Sequence, residues 1–358
     1  MKILITGNMG YVGPVLVRRL RDCYPEANLT GLDLGYFGSC LISNDGILPE
    51  CRLNRQYFAD VRNFSDELLS GVDAVVYLAA LSNDPLSHAF EEATFNINYR
   101  ACVATARKAK AAGIKSFVFA SSCSAYGYAE DGARTEESPV NPLTAYAKSK
   151  VWTERDMASL ADGTFKVTCL RFATACGMSD RLRLDLVLND FVAGAVASKK
   201  ITILSDGTPW RPLIHVKDMA RAIDWAIFRE VSRGGAFLTV NAGSDRWNYQ
   251  VRDLALAVAQ VIPGVKVSIN KDAQPDKRSY RVSFEKFKQL ASGYVPEVDL
   301  ITAITELRDG LNAIGFHDEN FRQSRFIRLN TLTQLKQKGL LSNDLEWTAR
   351  SPLLRASA

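Results

Sequence analysis

None of the seven cysteines forms a C-x-x-C pair, which argues against a zinc ribbon or a disulfide framework, and no metal site is expected. There is no long basic block either. The net charge of +5 is spread along the chain, which suits an anionic small molecule better than a nucleic-acid surface. The longest apolar run, around Val72 to Leu81, is too short to cross a bilayer, so no membrane partner is expected. Internal repeats and low-complexity segments are absent. Residue 3 already belongs to a strand pattern, so no targeting peptide is expected, and a reducing cytoplasm is the expected setting. What remains is the profile of a soluble globular protein: 358 residues, 47% hydrophobic and 23% charged, enough for one large or two medium domains.

The N-terminus carries the first motif. The apolar run Lys2–Ile5 leads into Gly7, Gly10 and Gly13, spaced G-x-x-G-x-x-G with Tyr11 and Val12 between, and an amphipathic helix follows. Such glycines permit a tight turn and let the backbone approach a pyrophosphate at a helix N-terminus, where free N–H groups favour an anion. A second apolar run ends at Asp33, twenty residues beyond Gly13, where a carboxylate accepts hydrogen bonds from an adenosine ribose. An acid there repels a 2′-phosphate, so NAD is expected rather than NADP.

Strands are predicted at Lys2–Ile5, Asn28–Leu32, Gln56–Phe58, Ala74–Leu78, Ser116–Ala120 and Lys166–Phe172, with helices between most of them. Continuous apolar strands alternating with helices predict an α/β fold, a Rossmann-type doubly wound parallel sheet. Residues 1–172 are expected to form this NAD-binding unit, and 173–320 a smaller, partly interleaved substrate-binding unit. The helical tail, 321–358, is assigned no chemistry. Ligands in such sheets bind at the carboxyl ends of the strands.

Tyr146 and Lys150 stand one helical turn apart, twenty-odd residues after a serine-rich run that includes Ser122. A lysine held beside a tyrosine favours the phenolate, because a nearby positive charge lowers a phenol's pKa from about 10. A serine hydroxyl nearby can share a proton with a substrate alcohol. This set suits proton removal from a carbinol or its return to a carbonyl.

Assembled, these residues resemble the extended short-chain dehydrogenase/reductases, in the NAD-dependent epimerase/dehydratase group that acts on nucleotide sugars. The resemblance rests on Gly7, Gly10 and Gly13, on Asp60-Val61, on Leu78-Ala79-Ala80, on the serine run ending Tyr126-Gly127, on Tyr146/Lys150, and on Ile214-His215-Val216-Lys217-Asp218. It implies that Asp60 and Val61 hold the adenine and that Leu78, Ala79 and Ala80 line the dinucleotide path. It also implies that Ser122 is the catalytic hydroxyl, Tyr146 the base, and Lys150 the partner of the nicotinamide ribose. Family members that eliminate water carry acidic residues after that serine; here Cys123 and Ser124 stand there, so a 4,6-dehydratase is not expected. Cys123 reads as a buried small residue rather than a nucleophile.

The resemblance further implies that Arg211 and Arg278 meet the diphosphate of a nucleotide sugar, a role guanidinium geometry suits. Arg181, Arg183 and Asn189 lie in a segment that faces the sugar nucleotide in similar enzymes, and Ser82, Ser124 and Thr174 are candidates to touch the sugar. His215 reads as structural. The expected function is an NAD-dependent nucleotide-sugar epimerase working through a transient 4-keto sugar. A 4-keto reductase or 4-dehydrogenase uses the same residues, and a non-catalytic NAD-binding protein is a third reading. A homodimer through helices near 90–112 and 146–160 is expected from the resemblance.

Overall fold

The computed structural model describes residues 1–42, 46–129, 132–270 and 279–349. Its centre is built from the apolar runs. Seven strands, β1 (Lys2–Thr6), β2 (Asn28–Asp33), β3 (Arg55–Phe58), β4 (Ala74–Tyr77), β5 (Ser116–Ser122), β6 (Lys166–Phe172) and β7 (Phe237–Ala242), form one sheet. Their order across the sheet is β7-β6-β5-β4-β1-β2-β3. Every pairing in it is parallel; Ile3, for instance, lies between Leu29 and Ala74. The order reverses between β1 and β4, and a crevice opens there at the carboxyl ends of the strands.

The residues alternate in destination, not in polarity. Ile3 and Ile5 face one core with Leu16 and Leu20 of the helix Gly13–Cys23, while Leu4 faces another with Val75, Phe117 and Phe119. Both faces of the sheet are therefore covered, which is why its strands read as continuous apolar runs.

Sequence reasoning placed six of these strands and missed β7. That strand is six residues long and falls after the alternation loosens, yet it pairs with β6 along its whole length. The helix Val216–Phe228 also packs on the large sheet, through Met219, Ile223 and Trp225. Residues in the middle of the chain thus return to the first unit.

A third core lies beyond the strand ends. Leu188 and Val192 of the helix Val187–Ser198 meet Leu254 and Val258 of Val251–Val261 and Ile304 and Leu307 of Leu300–Ala313. Around it run small sheets, including Trp210–His215 paired parallel with Thr174–Cys176.

The tail does more than pack at the periphery. Its helix, Arg328–Gln337, is followed by residues that fold back on the first unit, with Leu332, Leu341 and Leu345 buried among Leu4, Val75 and Phe117. Trp347 Nε1 donates to the Leu34 carbonyl at 2.9 Å, and Arg62 donates to the Asp344 carbonyl at 2.6 Å. The Tyr36 hydroxyl donates to the Leu345 carbonyl.

Candidate active site

A cavity of about 980 Å³ opens at the strand ends. One end is shaped by glycines. Gly7 has φ +73°, and a Cβ there would lie 2.5 Å from the Ala79 nitrogen, so the turn after β1 sits directly against the chain leaving β4. A Cβ at Gly13 would fall 2.0 Å from the Asn8 carbonyl oxygen, so that glycine seats the helix on its own turn and does not line the cavity. Gly7, Gly10, Tyr11 and Val12 do line it. This is a cradle that side chains would fill, and it fits a dinucleotide pyrophosphate at the start of a helix.

Asp33 follows on the same wall. Its carboxylate accepts the Met9 N–H at 3.0 Å and the Gly35 N–H at 2.7 Å. Burial raises its carboxyl above the ordinary value, and those two N–H groups oppose the rise. Asp60, Val61, Leu78, Ala79 and Ala80 continue the lining, with Tyr36 and Phe37 facing them. Asp60 is also gripped by Arg62, at 2.5 Å in its shortest contact.

The other end is built by β5 and the helix Ala145–Ala158. Ser122 is extended, and its hydroxyl accepts the Ser124 N–H at 3.1 Å, starting a short 3₁₀ turn over Cys123–Tyr126. Thr144 caps the next helix by accepting the Ala147 N–H, so Tyr146 falls in the first turn. Ser122 and Tyr146 stand on the same wall, near enough for the serine hydroxyl to lower the phenol. Ser122, Ser124, Tyr146, Lys150 and Thr174 all line the cavity, and the Ser124 hydroxyl there has no protein partner.

Burial dominates the electrostatics at this end. Burial pushes the Tyr146 phenol above its ordinary value; the Ser122 hydroxyl and the Arg183 guanidinium lower it, and Asp84 and Cys123 raise it. Lys150 is buried one turn further along the same helix. Its ammonium donates to the Ala120 carbonyl at 2.7 Å and lies 5.6 Å from the Tyr146 ring centre. Burial pulls that ammonium down to about 8.

The arginines divide. Arg183 lines the cavity, donates to Asp185 at 2.9 and 3.0 Å, and reaches the Ser82 hydroxyl at 2.9 Å. Arg211 also lines it, with one guanidinium nitrogen on the Trp210 carbonyl at 2.9 Å. Arg181 does not. It is 2% exposed and paired with Glu50 at 2.6 and 3.0 Å, because a buried guanidinium requires a counter-charge and the loop before β3 supplies one. Asn189 is likewise turned inward: it accepts the Gly177 N–H at 3.0 Å and donates to the Arg183 carbonyl at 2.9 Å and the Tyr11 hydroxyl at 3.2 Å. The expectation that these two side chains face the sugar is not met by their hydrogen bonds. Arg278 lies outside the described residues.

Several contributors were not singled out from sequence. Asp84 lines the cavity and accepts the Thr144 hydroxyl at 2.8 Å, while the neighbouring Asn83, not Ser82, caps the helix Asp84–Ala89. Only Ser82 of this stretch is named from sequence. Asn98, in a π-helical stretch over Phe95–Arg100, accepts the Leu81 N–H at 2.9 Å and donates to the Ser149 hydroxyl at 3.2 Å, tying the end of β4 to the tyrosine helix. Cys123 is buried, donates to the Arg171 carbonyl at 3.1 Å, and has its thiol pushed far up by burial. That burial disfavours the thiolate a nucleophile would need. Arg322, Arg328 and Leu329 of the tail, to which sequence assigns no chemistry, also line the cavity.

Comparison with known proteins agrees with this geometry. A dTDP-glucose 4,6-dehydratase of Streptomyces griseus is 27% identical, over 83% of this chain and 90% of that one. A UDP-glucose 4-epimerase of Lactobacillus helveticus is 28% identical, over 62% of this chain and 70% of that one. Among solved structures, MoeE5 in complex with UDP-glucose and NAD superposes with a TM-score of 0.73 at 24% identity, covering 87% of this chain and 99% of that one, which places the fold. The sequence model of the NAD dependent epimerase/dehydratase family matches residues 3–243, from the first strand through the last strand of the large sheet. A match over that length, on a fold whose glycine cradle and acidic wall suit the dinucleotide, makes this chain a member of the NAD dependent epimerase/dehydratase family, with NAD as its cofactor.

Proposed function

We propose that the chain is a nucleotide-sugar epimerase that works through a transient 4-keto sugar. The observation carrying this reading is that Ser122, Tyr146 and Lys150 line one wall of a cavity that also holds the dinucleotide cradle. NAD, when bound, supplies a reversible two-electron acceptor. Gly7, Gly10, Tyr11, Val12 and Asp33 would hold it, with Lys150 at its nicotinamide ribose. Tyr146 takes the proton of the sugar 4-hydroxyl on oxidation and gives it back on reduction, with Ser122 bonded to the same oxygen. Arg211 gives the cavity a guanidinium suited to a diphosphate. The relatives named as a UDP-glucose 4-epimerase and a dTDP-glucose 4,6-dehydratase support a sugar nucleotide as substrate.

A net 4-keto reductase or 4-dehydrogenase would use the same residues. A dehydratase is disfavoured because Cys123 and Ser124 supply no acid. Asp84 is the carboxylate that could answer that objection, since its charge reaches Tyr146. The deciding experiment incubates the protein with UDP-, GDP-, CDP- and dTDP-sugars plus NAD and reads the products by NMR. An inverted C4 centre is expected. A 4-keto-6-deoxy product from dTDP-glucose or GDP-mannose would overturn the exclusion of dehydration and make Asp84 the first acid to replace.

A homodimer is part of the same reading. Trp152 is 37% exposed, stacks on Phe95 at 4.9 Å, and meets Tyr99 edge-on at 5.7 Å, an aromatic surface on the helices expected to pair. Sedimentation should give a dimer at micromolar concentration and a monomer for Trp152→Glu.

A further inference from the structure

Arg328 opens the helix Arg328–Gln337, beyond the end of the family match at residue 243. It is 2% exposed and lines the cavity. Its guanidinium lies 4.2 Å from the centre of the Phe37 ring, and Nη2 donates to the Arg181 carbonyl at 3.2 Å. Nη1 has no hydrogen-bond partner. The cations nearby are already neutralised, Arg181 by Glu50 and Arg183 by Asp185. Among the described residues no carboxylate pairs with Arg328. Burial lowers its guanidinium to about 10, so it remains charged at neutral pH.

An uncompensated cation buried beside a cavity is costly unless a ligand completes it. We propose that Arg328 is a phosphate-binding residue, whose guanidinium donates to an oxygen of a diphosphate held in the cavity. This rests on the functional reading above, and two sources share the chemistry: the diphosphate of NAD and that of the nucleotide sugar. A guanidinium suits either, because its fork matches phosphate oxygens. The tail would then be part of the binding site, reaching it from a segment the family match does not include.

Calorimetric titration of the full chain, and of Arg328→Met, with NAD and separately with UDP, GDP, CDP and dTDP tests this. Arg328→Met should lose about ten- to a hundredfold in affinity for one class, and the class that loses identifies the source. The ligand-free variant should melt at the same temperature or higher, because a buried unpaired charge is gone. Arg328→Lys keeps the charge without the fork and should fall between the two, which also provides a readout if the methionine variant folds poorly. Affinities within twofold of wild type for both classes would overturn the proposal, as would a lowered melting temperature with unchanged affinities, the mark of a purely structural cation. A wild-type chain that binds neither NAD nor any nucleoside diphosphate would instead overturn the functional reading itself.

Discussion

Arg183 grips Asp185 with two nitrogens, at 2.9 and 3.0 Å, and leaves a third for the Ser82 hydroxyl. That fixed guanidinium is the cation that lowers the Tyr146 phenol. Replacing it with methionine should raise the phenol further, so the limb of the kcat–pH profile that requires the phenolate should move to higher pH. A profile unchanged in position would show that Arg183 serves only to hold Asp185.

Tyr146→Phe removes the ionisable oxygen and almost no volume. Turnover should drop by about a hundredfold to ten-thousandfold, with NAD still bound. Ser122→Ala removes one hydrogen bond to the reacting sugar oxygen and should be milder. Single-turnover rates, alongside the NAD content of each purified variant, separate lost chemistry from lost cofactor.

Lys150 carries its charge below about 8 and loses it as pH rises through that value. Below that pH the ammonium can donate to a ribose hydroxyl while holding the Ala120 carbonyl; above it one hydrogen and the charge are gone. NAD affinity should therefore fall between pH 7 and pH 9. Lys150→Arg, which stays charged throughout, should flatten that dependence in calorimetry even if its affinity is lower at both values.

Asp33 stands at the cofactor end with its carboxylate fixed by Met9 and Gly35. It should disfavour a 2′-phosphate by like charge at close range. Asp33→Asn should narrow the preference for NAD over NADP, chiefly by improving NADP. Tighter binding of NADP than NAD by the unaltered protein would show that the carboxylate does not meet the ribose.

The parts legible in sequence are those whose cause is local. β1, β4, β5 and β6 are buried along nearly their whole length, and burial on both faces writes itself as an unbroken apolar run. Gly7 was legible because only glycine tolerates both its positive φ and its distance to Ala79. What sequence could not show depends on partners distant along the chain. Arg181 and Arg183 are two residues apart and chemically identical, yet Glu50 claims the first while the second reaches Ser82. Nothing in the order of residues records which carboxylate arrives where. β7 was missed for a related reason: Phe237–Ala242 becomes a sheet strand only because β6, about seventy residues earlier, offers its edge.

The bond from Trp347 to Leu34 joins residues 313 positions apart, on the edge of the cofactor end. Synthesis proceeds at roughly 5–20 residues per second, so about fifteen seconds to a minute separate the emergence of Asp33 from that of the segment that closes over it. A nascent chain displays the glycine turn and most of the large sheet long before Arg328, Leu345 and Trp347 exist. Capture of the dinucleotide in its finished setting consequently waits for residues about three hundred positions later, and a chain stalled before residue 320 would present a half-walled groove to the cell.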